Sequence, residues 1–179
     1  MAGHFKKKVL HVGAAIHPIE AHTPNANLTE QVICELKRLY RTSMLVTNSP
    51  ECLWDLCLQY VAAVRSHTAL SICDLEGKVP ATQLTGNTAD ISHMAVFGWY
   101  NWVWFLLPEK VNMERRSLGR YSGPSTDVGD ALCTRIIMAE GKFVNRTLVF
   151  PPSCEDARSK AAQKRQQDFE FSLKDALGS

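Results

Sequence analysis

The stretch VFGWYNWVWFLLP, residues 96–108, limits the fold of this chain more than any other feature. It carries no charge, yet it is too short to cross a bilayer, which takes about 20 consecutive apolar residues in a helix. Such a run reads as a buried strand, or a strand pair, with aromatics on both faces. The neighbouring sequence agrees: RRSLGRYSGP (115–124), ALCTRIIMAEG (131–141) and KFVNRTLVF (142–150) are further strand candidates separated by glycine or proline, and Pro151-Pro152 closes the span. Four or five short strands between 94 and 150 predict a small barrel or curled sheet.

Helices flank that region. Leu28, Val32, Leu36 and Leu39 recur at helical spacing and predict a helix over 28–45. Asn27 precedes Glu30 by three positions, the spacing of a capping box. Ser49 followed by Pro50 reads as a cap with proline at the first helical position, opening a second helix with a stripe of Trp54, Leu58 (or Cys57), Val61 and Val64. The two helices are expected to pack on each other or to be left without the sheet they once covered. Ahead of them, 5–12 reads as a short helix and AAIHPIEAH (14–22) as an edge strand, because Pro18 cannot donate to a ladder. Breakers at Gly77, Pro80 and Gly86 make 67–93 a linker with one short helix. Residues 155–177 form a polar helical tail with a thin seam of Phe169, Leu173 and Leu177.

Composition excludes some functions. A net charge of +2 sets up no global field that would draw the chain onto nucleic acid. The charge is clustered, however, at Lys6-Lys7-Lys8, at Arg115, Arg116 and Arg120, and in the tail RSKAAQKR. Such patches can hold phosphates; solvated side chains are the competing reading for each. The six cysteines form no C-x-x-C pair, so neither a zinc ribbon nor a redox pair is signalled. MAGHFKKKVLHVG lacks the long apolar core of a signal peptide. An intracellular chain with reduced thiols and no membrane partner is expected.

Glu30 is the residue most open to two readings. On a helix it lies off the Leu28/Leu36/Leu39 face, and Lys37 and Arg41 follow on nearly the same side. A carboxylate there could hold Mg²⁺ and the bases could track a nucleic-acid backbone; equally, it is a capping box on a solvated amphipathic helix. Asp90, Asp127 and Asp130 suit turns and caps better than a metal site. The aromatics of 99–105 could stack bases, although a packed core is the simpler use of them.

Taken in order, HTPNANLTEQVICELKR, SPECLWDLCLQYVAAVRSHTA, GKVPATQLTGNTADISHMAVFGWYNWVWF, SLGRYSGPSTDVGDALCTRII and NRTLVFPP resemble the integrase region of copia-type retrotransposon polyproteins over roughly residues 5–152. The resemblance implies the last helices of a ribonuclease H-like core and then a small β-rich module, which with the C-terminal helix read above makes an α+β chain. It also implies that Glu30, in the frame of Pro24, Asn27 and the following Glu35-Leu36-Lys37-Arg38, matches the family's catalytic and metal-binding glutamate. In that family two aspartates join the glutamate to hold two Mg²⁺ (or Mn²⁺) ions for strand transfer. Here no aspartate precedes Glu30, and the first in the chain is Asp55. His4, His11, His17 and His22 do not supply the family's His/Cys zinc pattern either.

The sequence is therefore expected to be a truncated, catalytically incomplete integrase-like chain. Residues 1–66 would be the core remnant, 67–93 a linker, 94–152 the β-rich module and 153–179 the tail. Its expected ligand is DNA or RNA, held weakly and without sequence preference through Lys37, Arg38, Arg41, Arg115, Arg116 and Arg120, in a nuclear or cytoplasmic particle. A homo-oligomer or the rest of a polyprotein are the further partners implied. Two alternatives stand beside this: a module that docks another protein, and a remnant without function.

Overall fold

The computed structural model describes residues 28–70, 77–88, 91–107, 116–125, 128, 133–154 and 158–178. The expected helix at 5–12, strand at 14–22 and cap at Asn27 lie outside them. The chain divides into two compact units, Met1–Glu35 and Leu36–Ser179. Helix α1, Leu28–Thr47, begins in the first unit and continues into the second, which holds every other described element.

The second unit is α+β. Beyond α1 come a 3-10 turn at Glu51–Leu53, helix α2 at Trp54–Ser66 and the short helices α3, Pro80–Thr85, and α4, Ser92–Val96. Strands β1 (Trp102–Leu106), β2 (Arg116–Pro124), β3 (Thr134–Ile137), β4 (Phe143–Arg146) and β5 (Val149–Phe150) follow, and then helix α5 (Lys160–Leu177). Asn48 ends α1 with a φ of 50°, a left-handed conformation that asparagine tolerates. Ser49 does not cap the next helix. Its hydroxyl is buried and accepts a hydrogen bond from the Trp99 indole at 3.1 Å, and the chain enters α2 through the 3-10 turn instead. Among the described residues of 67–93, Pro80 opens the short helix and Gly86, at φ 74°, ends it, while a second short helix at Ser92–Val96 runs across the expected boundary with the β-rich module.

The five strands form one antiparallel sheet in the order β4-β3-β2-β1-β5. Its two edge strands, β4 and β5, are joined by only Thr147 and Leu148. Three Cα steps span at most about 11 Å, whereas the edges of a flat five-stranded sheet stand roughly 19 Å apart. The sheet must therefore curl until its edges approach. Arg146 at the end of β4 makes a contact of that kind, its Nε donating to the Leu106 carbonyl of β1 at 3.3 Å. A register shift between Tyr121 and Gly123, with Gly123 at φ 115°, supplies a bulge that bends β2. Gly119 is required for another reason: a Cβ there would collide with Ile136 Cγ2 and crowd both Phe105 and the Ile137 carbonyl.

Curling gives the sheet two apolar faces. Val103, Phe105, Tyr121 and Ile136 turn to one side and form a fully buried cluster with Phe97. The alternate positions turn to the other. There Tyr100 and Ile137 join Leu53 of the 3-10 turn, Cys57 and Val61 of α2 and Phe169 and Leu173 of α5, with Leu36, Leu39, Tyr40 and Met44 of α1 packed against them. The helices expected to lack a sheet are thus covered by this one. The stripe on α2 is Leu53, Cys57 and Val61, and Trp54 is 53% exposed. Helix α5 buries Phe169 and Leu173 as its spacing predicts, and its N-cap Ser159 accepts from the Ala162 amide at 3.0 Å. Among the described residues no helix is long and apolar enough to cross a membrane.

Candidate nucleic-acid interface

Helix α1 settles where three of the expected basic residues point. Leu36, Leu39, Tyr40 and Met44 turn toward the core, so Lys37, Arg38 and Arg41 are left on the exposed side. Lys37 and Arg41 stand one turn apart, which places their Cβ atoms about 5–6 Å from each other. Leu45 and Val46, 81% and 79% exposed, continue that surface toward the end of the helix. Glu30 lies in the first turn of α1 and is exposed, where a carboxylate favours the positive end of the helix dipole. Among the described residues no group of three or more His, Cys, Asp or Glu side chains could hold a metal ion. One carboxylate does not by itself fit a pair of Mg²⁺ ions.

The β2 arginines part company. Arg116 is exposed at the start of the strand, its guanidinium 5.9 Å from the Phe150 ring centroid. Arg120 is not on an open basic edge as the sequence suggests. Its side chain is 13% exposed and lies against Glu170 of α5, with Nη2 2.6 Å from Oε1 and Nε donating to the same oxygen at 2.7 Å. Nη1 donates to the Tyr100 carbonyl at 2.7 Å. The guanidinium carbon stacks 3.4 Å from the Trp102 ring centroid and 4.2 Å from that of Tyr100. The physical reason is register: Arg120 pairs with Trp102 on the face that α5 covers, and so shares the aromatics' side of the sheet. Burial pushes its guanidinium below the usual arginine range, and Glu170 opposes that shift. Arg115, Asp90, Asp127, Asp130 and Lys6-Lys7-Lys8 lie outside the described residues.

Tyr100 is the strained residue of this corner. Its φ of 60° is rare for a bulky side chain and costs on the order of 1–3 kcal/mol. The conformation continues the β1–β2 ladder: the Tyr100 amide donates to the Tyr121 carbonyl, and the Tyr121 amide donates to the Asn101 carbonyl, both at 2.9 Å. The Tyr100 hydroxyl donates to Glu170 Oε2 at 3.2 Å. Burial, with the Glu170 charge second, raises its pKa above tyrosine's usual range.

A groove of about 400 Å³ runs between the sheet and α5, with Trp104, Arg116, Leu118, Arg165 and Asp168 in its walls. Arg165 stands 5.8 Å from the Trp104 ring centroid. The tail cluster RSKAAQKR signals the charge of Arg165, but nothing in its spacing places that residue against a strand. Glu140 and Asp168 temper the two arginines, so the groove has mixed charge. Cys57, buried beneath α1, has its thiol pushed up to about 12 by burial, which leaves it protonated and inert near neutrality.

The basic groups thus fall into an exposed set on α1, an exposed arginine at the start of β2, and an arginine stacked between aromatics under α5. No protein-family model, curated protein or solved structure matches the chain.

Proposed function

We propose that this chain is a non-catalytic piece of a copia-type retrotransposon integrase that binds nucleic acid weakly and without sequence preference. The observation that carries the reading is the order of elements: a helix with Glu30 in its first turn and Lys37, Arg38 and Arg41 on an exposed side, then a second helix, then a small curled sheet built from the segments that resemble the family. The chain supplies one of the three carboxylates that a two-metal transfer site uses. With Mg²⁺ or Mn²⁺ it is expected to show neither end-processing nor strand transfer; metal-dependent activity that disappears in Glu30→Gln would overturn that part.

Binding is tested by titrating duplex DNA at several salt concentrations. About three to five phosphate contacts give a log–log slope of roughly −3 to −4.5. Changing Lys37 and Arg41 to Ala should make it shallower by about one unit for each phosphate no longer neutralised, whatever the duplex. A flat titration at low salt with a folded sample removes the nucleic-acid reading. The second reading, docking of another protein or of a second copy, is favoured by the exposed Leu45, Val46 and Trp54. It requires the opposite pattern, with no salt-dependent DNA binding and association abolished when Leu45 and Val46 become Ser.

A further inference from the structure

Two neighbouring residues of α5 touch the sheet in different ways. Phe169 sets its ring edge-on to Trp102, centroids 5.2 Å apart. Glu170 reaches the three donors beside it: Arg120 Nε at 2.7 Å, Arg120 Nη2 at 2.6 Å and the Tyr100 hydroxyl at 3.2 Å. Those donors are held before any ligand arrives. Arg120 is pinned by its bond to the Tyr100 carbonyl and by the rings of Trp102 and Tyr100, and the backbone of Tyr100 is fixed by the ladder to Tyr121. An arginine fork and a hydroxyl converging on one point recognise an oxyanion, and phosphate meets the fork as well as carboxylate does.

The same face offers planes for bases. Trp102 and Trp104 alternate with the buried Val103 and Phe105, so both indoles stand on the side that α5 covers. Across the register Trp102 faces Arg120 and Leu106 faces Arg116. Indoles interleaved with arginines, half-buried here, are the chemistry by which single strands are held, bases on rings and phosphates on cations.

We propose that Arg120, Tyr100 and Trp102 form a binding site for a phosphate and stacked base of single-stranded nucleic acid, which Phe169 and Glu170 of α5 occupy in cis. Helix α5 is then an autoinhibitory strap. Its attachment suits the task. The helix is held by Ala162, Phe169 and Leu173, with Leu177 partly buried, and since most of its other residues are polar its stability comes from that packing. A single strand competes for the site by offering a better anion and a better stacking partner than the helix does, and α5 lifts as the strand binds. The inference rests on the nucleic-acid reading above but makes a separate demand on Glu170.

The test is fluorescence anisotropy of a labelled oligo(dT) of about 20 nucleotides with the full chain, across a salt series. Glu170→Gln, which keeps the shape and removes the charge, should bind at least about fivefold tighter than the unaltered chain. Its log–log slope should steepen by about 0.7, the value for one further phosphate on a single strand. Adding Arg120→Gln to Glu170→Gln should abolish the gain. Because that double variant could misfold, amide exchange of the unaltered chain is the second measurement: excess oligo(dT) should speed exchange over 163–177 while β1 to β3 stay protected. If the unaltered chain binds with a salt-dependent slope but Glu170→Gln binds no tighter, or α5 exchange does not rise, the strap is overturned and the nucleic-acid reading stands. If neither chain binds oligo(dT) or duplex at low salt, both fall together.

Discussion

The two faces of the one sheet are built on different terms. On the inner face of the curl, Val103, Phe105, Tyr121 and Ile136 are fully buried and meet one another, with Phe97 and Tyr60 as the neighbours supplied by other elements. The outer face also holds a buried cluster, Tyr100 and Ile137 with Leu53, Cys57, Val61, Phe169 and Leu173, but beside it Trp102, Trp104, Leu118, Arg116 and Arg120 mix aromatics with cations, and α5 covers Trp102 and Arg120 with Phe169 and an ion pair from Glu170. The inner face has the composition of a core. The outer one combines a core with a strip of aromatics and arginine, the residues that concentrate at interfaces. The difference lies in the strip beneath α5, where charge and aromatics replace the purely apolar packing of the inner face.

The sharpest way to break this comparison is to truncate one side chain on each face. Phe105→Ala should cost about 3–5 kcal/mol and lower the midpoint of cooperative denaturant unfolding, with strands and helices melting together. A smaller loss, or one confined to part of the molecule, would mean that the curl is not held by its interior. Leu173→Ala comes next, at about 2–3 kcal/mol, and its effect should be local. Amides of α5 should lose protection well before those of β1 to β3, because Leu173 is one of the few side chains that tie that helix to the core. If Leu173→Ala destabilises the strands as much as α5, the outer face is core and not interface.

Sequence alone makes the inner face legible and leaves the outer one ambiguous. The alternation in Trp102–Leu106 identifies a strand with two apolar faces, and the breakers around it give four or five strands without showing that 142–150 divides into two. The seam of Phe169 and Leu173 follows from helical spacing. Arg120 cannot be told from Lys37 or Arg116, since a basic residue in a polar-looking strand has no pattern that reveals a glutamate 50 positions on. Ser49 misleads for the same reason: the residue that takes its hydroxyl away from capping is Trp99, brought in by the tertiary fold. Spacing puts Trp54 in the stripe of α2, but the 3-10 turn before it rotates Leu53 inward in its place. Long-range pairing decides each of these, and spacing along one element carries no record of it.

Alkaline pH tests both faces together. Burial raises the pKa of Cys57 and Tyr100 on the outer side and of Tyr60 and Tyr121 on the inner side. A group whose folded pKa is raised stays protonated in the native chain while the unfolded chain releases its proton. Its contribution to stability is therefore whole below the unfolded pKa and is lost as pH rises toward the folded one. For Cys57 that window opens at 9.0 and closes at about 12; for the tyrosines it opens at 10.0. Denaturation midpoints should be insensitive to these groups between pH 7 and about 8.5, then fall, each group adding up to about 1.4 kcal/mol per pH unit. A midpoint that rises between about pH 9 and 11 would contradict the buried, neutral state of all four.

The smallest expected effect has the opposite sign to the others and bears on the inner face alone. The Tyr121 hydroxyl is buried and has no hydrogen-bond partner among the described residues. Leaving such a donor unsatisfied costs about 1–3 kcal/mol, while its ring packs at 5.4 Å from Phe97 and edge-on at 5.9 Å from Tyr60. Tyr121→Phe keeps the ring and removes the orphan. It should be neutral or stabilise the chain by up to about 1 kcal/mol at neutral pH, since the small void left by the oxygen offsets part of the gain. The same change deletes one of the four raised groups, so above pH 10 the variant's advantage should grow with each unit. A loss of more than about 1 kcal/mol in Tyr121→Phe would show that the hydroxyl has a partner after all, adding a second polar tie on the inner face to the one from the Tyr60 hydroxyl to the Phe97 carbonyl.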